Sequence, residues 1–370
     1  MSQAGPLARE MGRRTLVVTG RNAARAQPLL AALRDQQITA STFPVGGEPE
    51  VRVVEAAVAA AKRDGCDFVI SFGGGSVIDA GKAIAAMLAN EGELLDYLEV
   101  IGRGKSLSRA SAPLMAIPTT AGTGSEVTRN AVLASAAHGI KVSLRSHLML
   151  PSIAIVDPQL TCDLPPAITA STGLDALTQL IEPFVSVRAN PMTDALCREG
   201  IRRVGRSLRR AFADGRDAEA REDMSLASLW GGMALANAGL GAVHGFAGPI
   251  GGMFPAPHGQ VCAALLPHVM AMNLRAFRQR QPTSEILGRY EEVARLFTAN
   301  PTATADDGVE SVRGLVAALG IPGLAAYGVT WAHVKELVEK AAKASSMKGN
   351  PIALAPEELA QILEQAIGLT

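Results

Sequence analysis

The segment from residue 68 to residue 84 constrains the fold of this chain more than any other. Residues 68–72 form an apolar run typical of a buried strand, and residues 77–84 have helical spacing. Between them lie Gly73, Gly74, Gly75 and Ser76. Glycines let backbone N–H groups approach an anion closely, and a helix N-terminus adds unpaired donors and a partial positive charge. The segment therefore predicts a phosphate-holding turn. A plain strand-to-helix turn is the alternative, because the sequence matches neither G-x-G-x-x-G nor a P-loop.

The first part of the chain alternates apolar runs with helical patterns. The runs that predict strands are residues 15–19, 38–43, 68–72, 114–118 and 152–157. Helical spacing at residues 25–33 and 50–62 separates the first three of them. Strands that alternate with helices indicate a mostly parallel sheet covered on both faces. We therefore predict an α/β domain over residues 1–160.

The pattern of apolar residues changes after residue 163, where strand-like runs are replaced by long helical patterns. These cover residues 165–187, 193–213, 218–239, 258–273, 285–297, 306–318, 331–344 and 355–367. The stretch 234–254 is apolar but contains Asn237, His244 and Pro249, so it predicts buried helix and loop rather than a membrane span. We predict an all-helical domain over residues 161–370, with the active site where the two domains meet.

Composition excludes several classes of function. The chain has 35 basic and 35 acidic residues, and its aromatic content is 4%. A neutral chain that is poor in aromatics lacks the features of a nucleic-acid or anionic-membrane binder. Its four cysteines form no C-x-x-C motif, which is typical of a reducing compartment. They are Cys66, Cys162, Cys197 and Cys262. Since residues 1–12 also have no signal-peptide core, we expect a soluble cytoplasmic protein.

A second loop, residues 118–128, follows another apolar run and is rich in glycine and hydroxyl groups. Its hydroxyl residues are Thr119, Thr120, Thr123, Ser125 and Thr128. Several hydroxyls and N–H donors in one loop suit a ligand dense in oxygen atoms, such as the ribose and phosphate groups of a dinucleotide. A decorated surface turn is the alternative.

Three residues of the helical half have the chemistry of metal ligands. His244 and His258 each precede a glycine in an apolar setting, and Asp175 lies within an otherwise apolar helix. A buried carboxylate needs a partner, and a divalent cation paired with two imidazoles would provide one. The alternatives are structural histidines and a salt bridge or helix cap at Asp175.

Together these segments resemble one family in order and in separation. They are residues 73–82, 118–128, 173–178 and 244–259, and the resemblance extends from about residue 14 to 365. The chain resembles the iron-containing (group III) alcohol dehydrogenases. This resemblance implies a dinucleotide-binding α/β domain with a parallel sheet followed by an all-helical domain, an architecture shared with dehydroquinate synthase. It also implies NAD or NADP, a divalent metal and a homodimer.

The resemblance also implies roles for individual residues. The loop from Gly73 to Ser76 would hold the pyrophosphate, and Asp79 would orient that loop. The implied cofactor-binding residues are Gly20, Gly73, Gly74, Gly75, Ser76, Asp79, Thr119, Thr120, Thr123, Asn130 and Lys141. Three of the family's four metal ligands are matched, and they are also the implied catalytic residues. They are Asp175, His244 and His258.

Three departures from the family pattern affect the chemistry. Gln179 stands where the family has its fourth ligand, a histidine one helical turn after the aspartate. A glutamine oxygen is a weak ligand, so Fe²⁺ or Zn²⁺ on three strong ligands, or loss of the metal, all stay open.

Gly248 replaces a histidine implicated in proton transfer in many relatives. Gly20, followed by Arg21 and Arg25, replaces an aspartate frequent in NAD-preferring relatives, which favours NADP(H), with solvated arginines as the alternative.

We therefore predict a metal-dependent oxidoreductase that transfers hydride reversibly between NAD(P) and a small alcohol, aldehyde or ketone. Three alternatives remain open at this stage. The first is a metal-independent reductase of the maleylacetate reductase type on the same fold. The second is a lyase like dehydroquinate synthase, which the threonine loop and the histidine segment fit less well. The third is a cofactor-binding protein whose site has decayed.

Overall fold

The computed structural model describes residues 1–135, 138 and 140–368. These residues divide into two compact units. Unit 1 comprises Met1–Thr120 and Ser125–Leu160, and unit 2 comprises Ala121–Gly124 and the described residues from Thr161 onward. The short segment from Ala121 to Gly124 thus packs with the helical unit, although the sequence on both sides of it belongs to unit 1.

Unit 1 is an α/β unit, as the sequence predicted. Its strands are β1 Arg14–Thr19, β2 Thr39–Pro44, β3 Phe68–Gly73, β4 Leu114–Pro118, β5 Asn130–Ser135, β6 Ile140–Arg145 and β7 Ile153–Ala154. Its helices are α1 Ala4–Met11, α2 Gln27–Asp35, α3 Val51–Arg63, α4 Gly75–Ala89 and α5 Leu94–Tyr97. Five strands form one parallel sheet in the order β2-β1-β3-β4-β7.

Side chains of the sheet alternate between two apolar clusters. Val18 and Val69 pack in one cluster with residues of α3 and α4, whereas Val17 and Ile70 pack in the other with residues of α1 and α2. Successive side chains of a strand point to opposite faces, so a strand covered on both faces is apolar throughout. The edge strand β2 is only partly buried, and it ends at Pro44, which an edge position tolerates.

The sheet reverses its direction of growth between β1 and β3. The chain passes from β1 through α2 to β2 on one side, and then returns through α3 to β3 on the other side of β1. The carboxyl ends of β1 and β3 therefore lie beside each other at a topological switch point. In open α/β sheets this crevice is where ligands bind.

The sequence analysis missed or misjudged several elements of unit 1. It did not predict α1, α5 or the antiparallel hairpin of β5 and β6. The hairpin alternates buried and half-buried residues over only six positions per strand, which is a weak signal in a single sequence. The last strand, expected over residues 152–157, pairs with β4 over Ile153–Ala154 alone.

Unit 2 consists of helices, as predicted. They are α6 Pro166–Val185, α7 Pro191–Ala213, α8 Ala218–Ala238, α9 Ala242–Met253, α10 His258–Arg280, α11 Glu285–Thr298, α12 Ala305–Ala318, α13 Val334–Lys343 and α14 Pro356–Ile367. One large apolar core joins them, with Leu177 of α6, Phe246 of α9 and Leu265 of α10 among its buried members. Taken singly, the described helices are too short or too polar to cross a membrane. Only α8 and α9 together reach the required length and hydropathy, and they meet at a bend of 101°.

Helix α9 is longer than its sequence suggests. It contains Pro249 and four glycines, yet it is helical from Ala242 to Met253. Gly239, at φ 73°, ends α8 in a backbone conformation that favours glycine and redirects the chain into α9. This sharp turn brings His244 into the buried interior of unit 2.

Candidate metal centre and cofactor loop

One face of α6 carries three buried polar side chains. Asp175, Gln179 and Glu182 are spaced four and three residues apart, so they lie on the same side of the helix. Their exposed fractions are only 2%, 3% and 5%. Buried polar groups must be paired because desolvation destabilises them. Their partners therefore reveal what this face of α6 binds.

Two further helices direct side chains at the same place. His244 lies in the first turn of α9, and His258 begins α10. Cys262 follows His258 by four residues and therefore faces the same way. Both the thiol and the His244 ring are buried, whereas 38% of the His258 side chain is exposed. The cluster thus reaches solvent on its His258 side.

The donor atoms of this cluster converge on one point. Asp175 Oδ1 lies 3.5 Å from His244 Nε2 and 3.8 Å from His258 Nε2. Cys262 Sγ lies 3.8 Å from His244 Nε2 and 3.7 Å from His258 Nε2. One donor atom from each of these four residues lies within 4.8 Å of all the others. We name this group, Asp175, His244, His258 and Cys262, the donor cluster.

Two oxygen atoms at the donor cluster have no hydrogen-bond partner among the described residues. They are Asp175 Oδ1 and Gln179 Oε1, both fully buried. An unpaired buried acceptor is unfavourable by about 1 to 3 kcal/mol, and more when it is charged. A cation beside both oxygens would remove that penalty. The residues therefore fit a metal ion.

Glu182 supports the cluster from the outside. Its Oε2 lies 2.7 Å from His244 Nδ1, and its Oε1 accepts the backbone N–H of Val243 at 2.7 Å. A carboxylate on Nδ1 fixes the tautomer, leaving Nε2 as the free donor toward the cluster, and makes the imidazole a stronger ligand. Metal-binding histidines usually have such a partner.

Charge in the cluster also favours a cation. Burial would by itself lower the pKa of His244, but the Cys262 and Glu182 charges raise it well above its ordinary value. The nearby Cys262 charge raises the pKa of His258 to about 9, with Asp175 adding to the effect. The negative groups around the two imidazoles therefore favour positive charge at this site.

A cavity of about 160 Å³ lies at the carboxyl ends of the strands of unit 1. It is lined by Gly20, Arg21, Asn22, Arg25, Phe72, Gly73, Gly74 and Thr119. These residues directly follow or end β1, β3 and β4, so the cavity occupies the switch point of the sheet. Its position and the arginines of its rim suit an anionic ligand.

The N-terminal turn of α4 opens at this cavity. The first N–H groups of a helix have no partner inside it, and among the described residues no side chain caps this helix. A Cβ added to Gly74 would come within 3.3 Å of the Thr120 side chain, so glycine keeps the loop close to its neighbour. The turn also contains Gly75 and Ser76. Such an uncapped N-terminus is a general phosphate-binding arrangement.

The chain matches known proteins over most of its length. Residues 1–158 match the family model described as iron-containing alcohol dehydrogenase, and residues 169–367 match the C-terminal model of the Fe-containing alcohol dehydrogenase family. The chain belongs to the iron-containing alcohol dehydrogenase family. It is 38% identical over 337 residues to 1,3-propanediol dehydrogenase of Klebsiella pneumoniae, with 90% of this chain and 85% of the relative covered.

Other relatives agree. Alcohol dehydrogenase 4 of Saccharomyces cerevisiae (strain YJM789) is 37% identical over 319 residues, which cover 86% of this chain and 80% of the relative. A solved 1,3-propanediol oxidoreductase superposes with a TM-score of 0.89 at 36% identity, over 99% of this chain and 95% of that one. Sulfoacetaldehyde reductase from Bifidobacterium kashiwanohense, solved in complex with NAD⁺, gives 0.88 at 29% identity, over 100% and 95%.

Family membership confirms the predicted class of activity. This iron-containing alcohol dehydrogenase is an NAD-dependent oxidoreductase that acts on small alcohols and their carbonyl counterparts. Membership also implies NAD(H) and one divalent metal ion, and the donor cluster supplies residues for that ion. The family argues against the lyase alternative.

In this family member a buried ion pair on α4 holds the loop after β4 in place. Lys82 is fully buried, and its Nζ donates to Asp79 Oδ1 at 3.1 Å, Ser125 Oγ at 2.7 Å and Thr128 Oγ1 at 2.9 Å. Asp79 Oδ2 accepts the N–H of Val132 at 2.9 Å. Asp79 therefore ties α4 to the threonine loop and to β5, and its predicted contact with the cofactor stays a prediction.

The remaining predicted cofactor residues lie in different parts of the structure and contact different groups. Thr119 lines the cavity, whereas Thr123 belongs to the short segment of unit 2. The carbonyl of Asn130 accepts from Lys82 at 2.8 Å, and Lys141 pairs with Glu48 at 2.9 Å. Cofactor contacts at these positions stay predictions.

Sequence reasoning overlooked three functional candidates. It treated Cys262 only as one of four cysteines outside any C-x-x-C motif, whereas the structure places that thiol against both histidines. The four-residue spacing from His258 was the available signal. Glu182 could have been found as the next carboxylate on the Asp175 face, and Lys82 as a lysine inside an apolar helix.

Proposed function

We propose that Asp175, His244 and His258 hold a divalent cation, and that this chain reduces small aldehydes or ketones and oxidises the corresponding alcohols. The observation that supports this most is the buried Asp175 Oδ1, which has no hydrogen-bond partner among the described residues yet lies 3.5 and 3.8 Å from two imidazole nitrogens. An arrangement of this kind is unfavourable without a cation. It is typical of a metal site built from one carboxylate and two histidines.

When bound, the cation supplies Lewis acidity toward the substrate oxygen. The protein residues do the rest. Glu182 holds the His244 ring in the orientation that directs Nε2 at the site. The partial exposure of His258 leaves an open side through which a small oxygen-bearing substrate can enter. The apolar core beside α9, with Phe246 fully buried, keeps water from the rest of the cluster.

We propose that the N-terminus of α4, with Gly74, Gly75 and Ser76, binds the pyrophosphate of the nicotinamide cofactor. The N–H groups of this turn and the helix dipole complement its negative charge. Gly20 lies at the rim of the same cavity, and a Cβ there would meet nothing within 4 Å. The position thus leaves room for a ribose.

We further propose that NADP(H) is accepted as well as NAD(H), and that two arginines at the cavity rim favour it. Arg21 and Arg25 line the cavity and lie where a carboxylate would exclude a 2′-phosphate. Arg21 Nε donates to the Gly46 carbonyl at 2.9 Å, and Arg25 donates to the Leu160 carbonyl at 2.7 Å. These bonds fix the two guanidinium groups at the rim, where they favour a phosphate.

A metal-independent reductase of the maleylacetate reductase type is the second candidate. It is favoured by Gln179 in place of the fourth ligand and by Gly248 in place of a proton-transferring histidine. Proton delivery in either mechanism then falls to water, a cofactor ribose hydroxyl or another side chain.

We also propose a homodimer and a cytoplasmic location. The dimer is supported by the family resemblance, and light scattering on the purified chain tests it. The reducing location is supported by the four cysteines, which are all free thiols.

One experiment tests the proposed function. Metal content is measured on purified protein, and a panel of alcohols and aldehydes is assayed with NAD(H) and NADP(H) before and after chelation. We expect about one divalent ion per chain, with activity lost on chelation and restored by metal. Activity that survives complete removal of metal would favour the second candidate.

A matched pair of variants sharpens the assay. His258→Ala should lose both metal and turnover while keeping the thermal unfolding midpoint within a few degrees. His147→Ala removes an exposed histidine of unit 1 and should keep both. Full activity in His258→Ala would contradict the role of His258 in metal binding.

A further inference from the structure

The fourth position of the metal site is the least explained part of this family member. The helical turn after Asp175 offers Gln179, whose amide is a weak ligand. Its side chain lies on the same face of α6 as Asp175, and its Oε1 has no hydrogen-bond partner among the described residues. Gln179 alone would therefore complete the site only weakly. The question is which side chain completes the donor set.

Cys262 is the side chain that contacts both histidines. It lies one turn beyond His258 on α10, so the helix presents the two residues together. Its Sγ lies 3.7 Å from His258 Nε2 and 3.8 Å from His244 Nε2. The thiol is fully buried, and it points at the nitrogen atoms that a metal would use.

The distances suit a tetrahedral ion. Zinc bonds of about 2.0 to 2.3 Å place neighbouring ligand atoms about 3.3 to 3.7 Å apart in a tetrahedron. The four distances that join Asp175 Oδ1 and Cys262 Sγ to the two histidine Nε2 atoms are 3.5, 3.8, 3.8 and 3.7 Å. A small contraction of the side chains would therefore bring all four atoms to bonding distance of one ion.

A second observation points to a ligand at the same place. Asp175 Oδ1 is unpartnered among the described residues and faces the histidine nitrogens that Cys262 contacts. An ordinary core thiol has apolar neighbours, as Cys197 does in the core of α7, with Leu180 in the same cluster. Cys262 instead lies among one carboxylate and two imidazoles.

We propose that Cys262 is the fourth metal ligand of this enzyme, and that the resulting Asp/His/His/Cys set selects zinc over iron(II). This inference rests on the proposed metal-dependent function and deepens it. Thiolate is a soft ligand that favours zinc, whereas the three nitrogen and oxygen donors suit either ion. Substrate oxygen can still bind, because zinc sites expand to five ligands during reaction.

Cobalt spectroscopy tests the proposal without relying on turnover. The full-length chain is stripped of metal with a chelator, and Co²⁺ is added without air and without a thiol reductant. We expect one Co²⁺ per chain, visible d–d bands of a distorted tetrahedral ion, and a thiolate-to-cobalt charge-transfer band in the near ultraviolet. The charge-transfer band is specific to a sulfur ligand.

Variants assign that band. Cys262→Ser should keep the fold and the visible bands but lose the charge-transfer band. Its Zn²⁺ affinity should fall by more than about 100-fold. Removing a residue that only hydrogen-bonds to a metal ligand already lowers affinity about 10- to 100-fold, so loss of a ligand should cost more. Cys262→Ala is the second variant should serine destabilise the site. Cys197→Ala removes a buried thiol elsewhere and should keep the band.

The outcomes separate this proposal from the proposed function. One Co²⁺ bound with visible bands but without charge transfer would overturn the role of Cys262 and leave the metal-dependent enzyme intact. Failure to bind Co²⁺ or Zn²⁺ at all would overturn both. In anaerobic competition between equal Zn²⁺ and Fe²⁺ the wild type should retain zinc, and Cys262→Ala should retain zinc with a smaller preference. Retention of iron by the wild type would overturn the selectivity.

Discussion

The Nδ1 atom of His244 and the Oε2 atom of Glu182 lie 2.7 Å apart inside unit 2. Both side chains are almost completely buried, at 6% and 5% exposure. This pair fixes which ring nitrogen faces the donor cluster. It places a charged partner behind His244, and it does so from the helix that also carries Asp175.

Replacing Glu182 by Gln should weaken metal binding without removing a ligand. The amide keeps the shape of the side chain but loses the charge that strengthens the imidazole as a donor. We expect zinc affinity to fall about 10- to 100-fold, measured by competition with a chromogenic chelator. Glu339→Gln, which makes the same change at an exposed position of α13, is the control and should keep the affinity. An unchanged affinity in Glu182→Gln would show that Glu182 is only structural.

Much of the site was predictable, because its residue types are unusual where they occur. Asp175 stands out in an apolar helix, and His244 and His258 share a pattern of apolar neighbours and a following glycine. The three glycines of residues 73–76 predict a turn by composition alone. The strand and helix periodicities of both units also follow from local sequence.

The other features of the site and the fold depend on contacts between residues that are distant in sequence. Cys262 looks like an ordinary core residue until α9 turns back at Gly239 and brings His244 against it. Strand β5 of the β5–β6 hairpin packs against α4, which a six-residue pattern does not reveal. The role of Lys82 depends on four hydrogen-bond acceptors, and three of them lie more than 40 residues away in sequence. The sequence around Lys82 therefore does not reveal it.

Replacing Lys82 by Met should destabilise unit 1. Met fills a similar volume, but Asp79 and the oxygens of Ser125 and Thr128 lose their shared donor. Breaking a buried ion pair by removing one partner is destabilising by about 3 to 5 kcal/mol. We expect a lower thermal midpoint and a higher KM for the cofactor. Lys62→Met, an exposed lysine at the end of α3, should leave both unchanged. Equal midpoints for the two variants would contradict the bracing role of Lys82.

Replacing Gly248 by His should supply a proton donor that this chain lacks. Position 248 lies one turn after His244 on α9, it is exposed, and a Cβ there meets nothing within 4 Å. We expect kcat for aldehyde reduction to rise about 10-fold or more, since general acid catalysis contributes about 10²- to 10⁴-fold. The pH profile should gain a group near the ordinary histidine pKa. Gly248→Ala controls for the change in helix propensity. An equal gain with Ala would exclude proton transfer as the cause.

Replacing Arg21 by Ala should reduce the preference for NADPH. The guanidinium loses its place at the cavity rim, and with it one charge-assisted contact to the 2′-phosphate. A hydrogen bond to a charged group is worth about 1.5 to 3 kcal/mol, so kcat/KM for NADPH should fall about 10-fold or more while that for NADH stays unchanged. Arg34→Ala, an exposed arginine of α2, is the control. Equal losses with both cofactors would mean that Arg21 does not read the phosphate, and a wild type much more active with NADH would overturn the NADP preference itself.

The carboxylate of Asp223 should make the stability of unit 2 depend on pH. It is 2% exposed and accepts from Arg203 Nη1 at 2.6 Å, Arg206 Nε at 2.6 Å and Ser207 Oγ at 2.5 Å. Burial would raise its pKa, but the hydrogen bonds from Arg206 and Ser207 and the Arg206 charge hold the pKa below the ordinary 3.8. A depressed folded-state pKa stabilises the fold above the unfolded-state value, and this contribution is lost as the pH falls through 3.8 toward the folded-state pKa. Asp223→Asn should therefore lower the free energy of unfolding by about 2 to 4 kcal/mol near pH 7. The difference in unfolding free energy between wild type and variant should become smaller below about pH 4. Denaturant midpoints measured from pH 7 to pH 3 give this difference directly. A gap that stays constant over that range would show that the α7–α8 contact does not depend on the ionised form of Asp223.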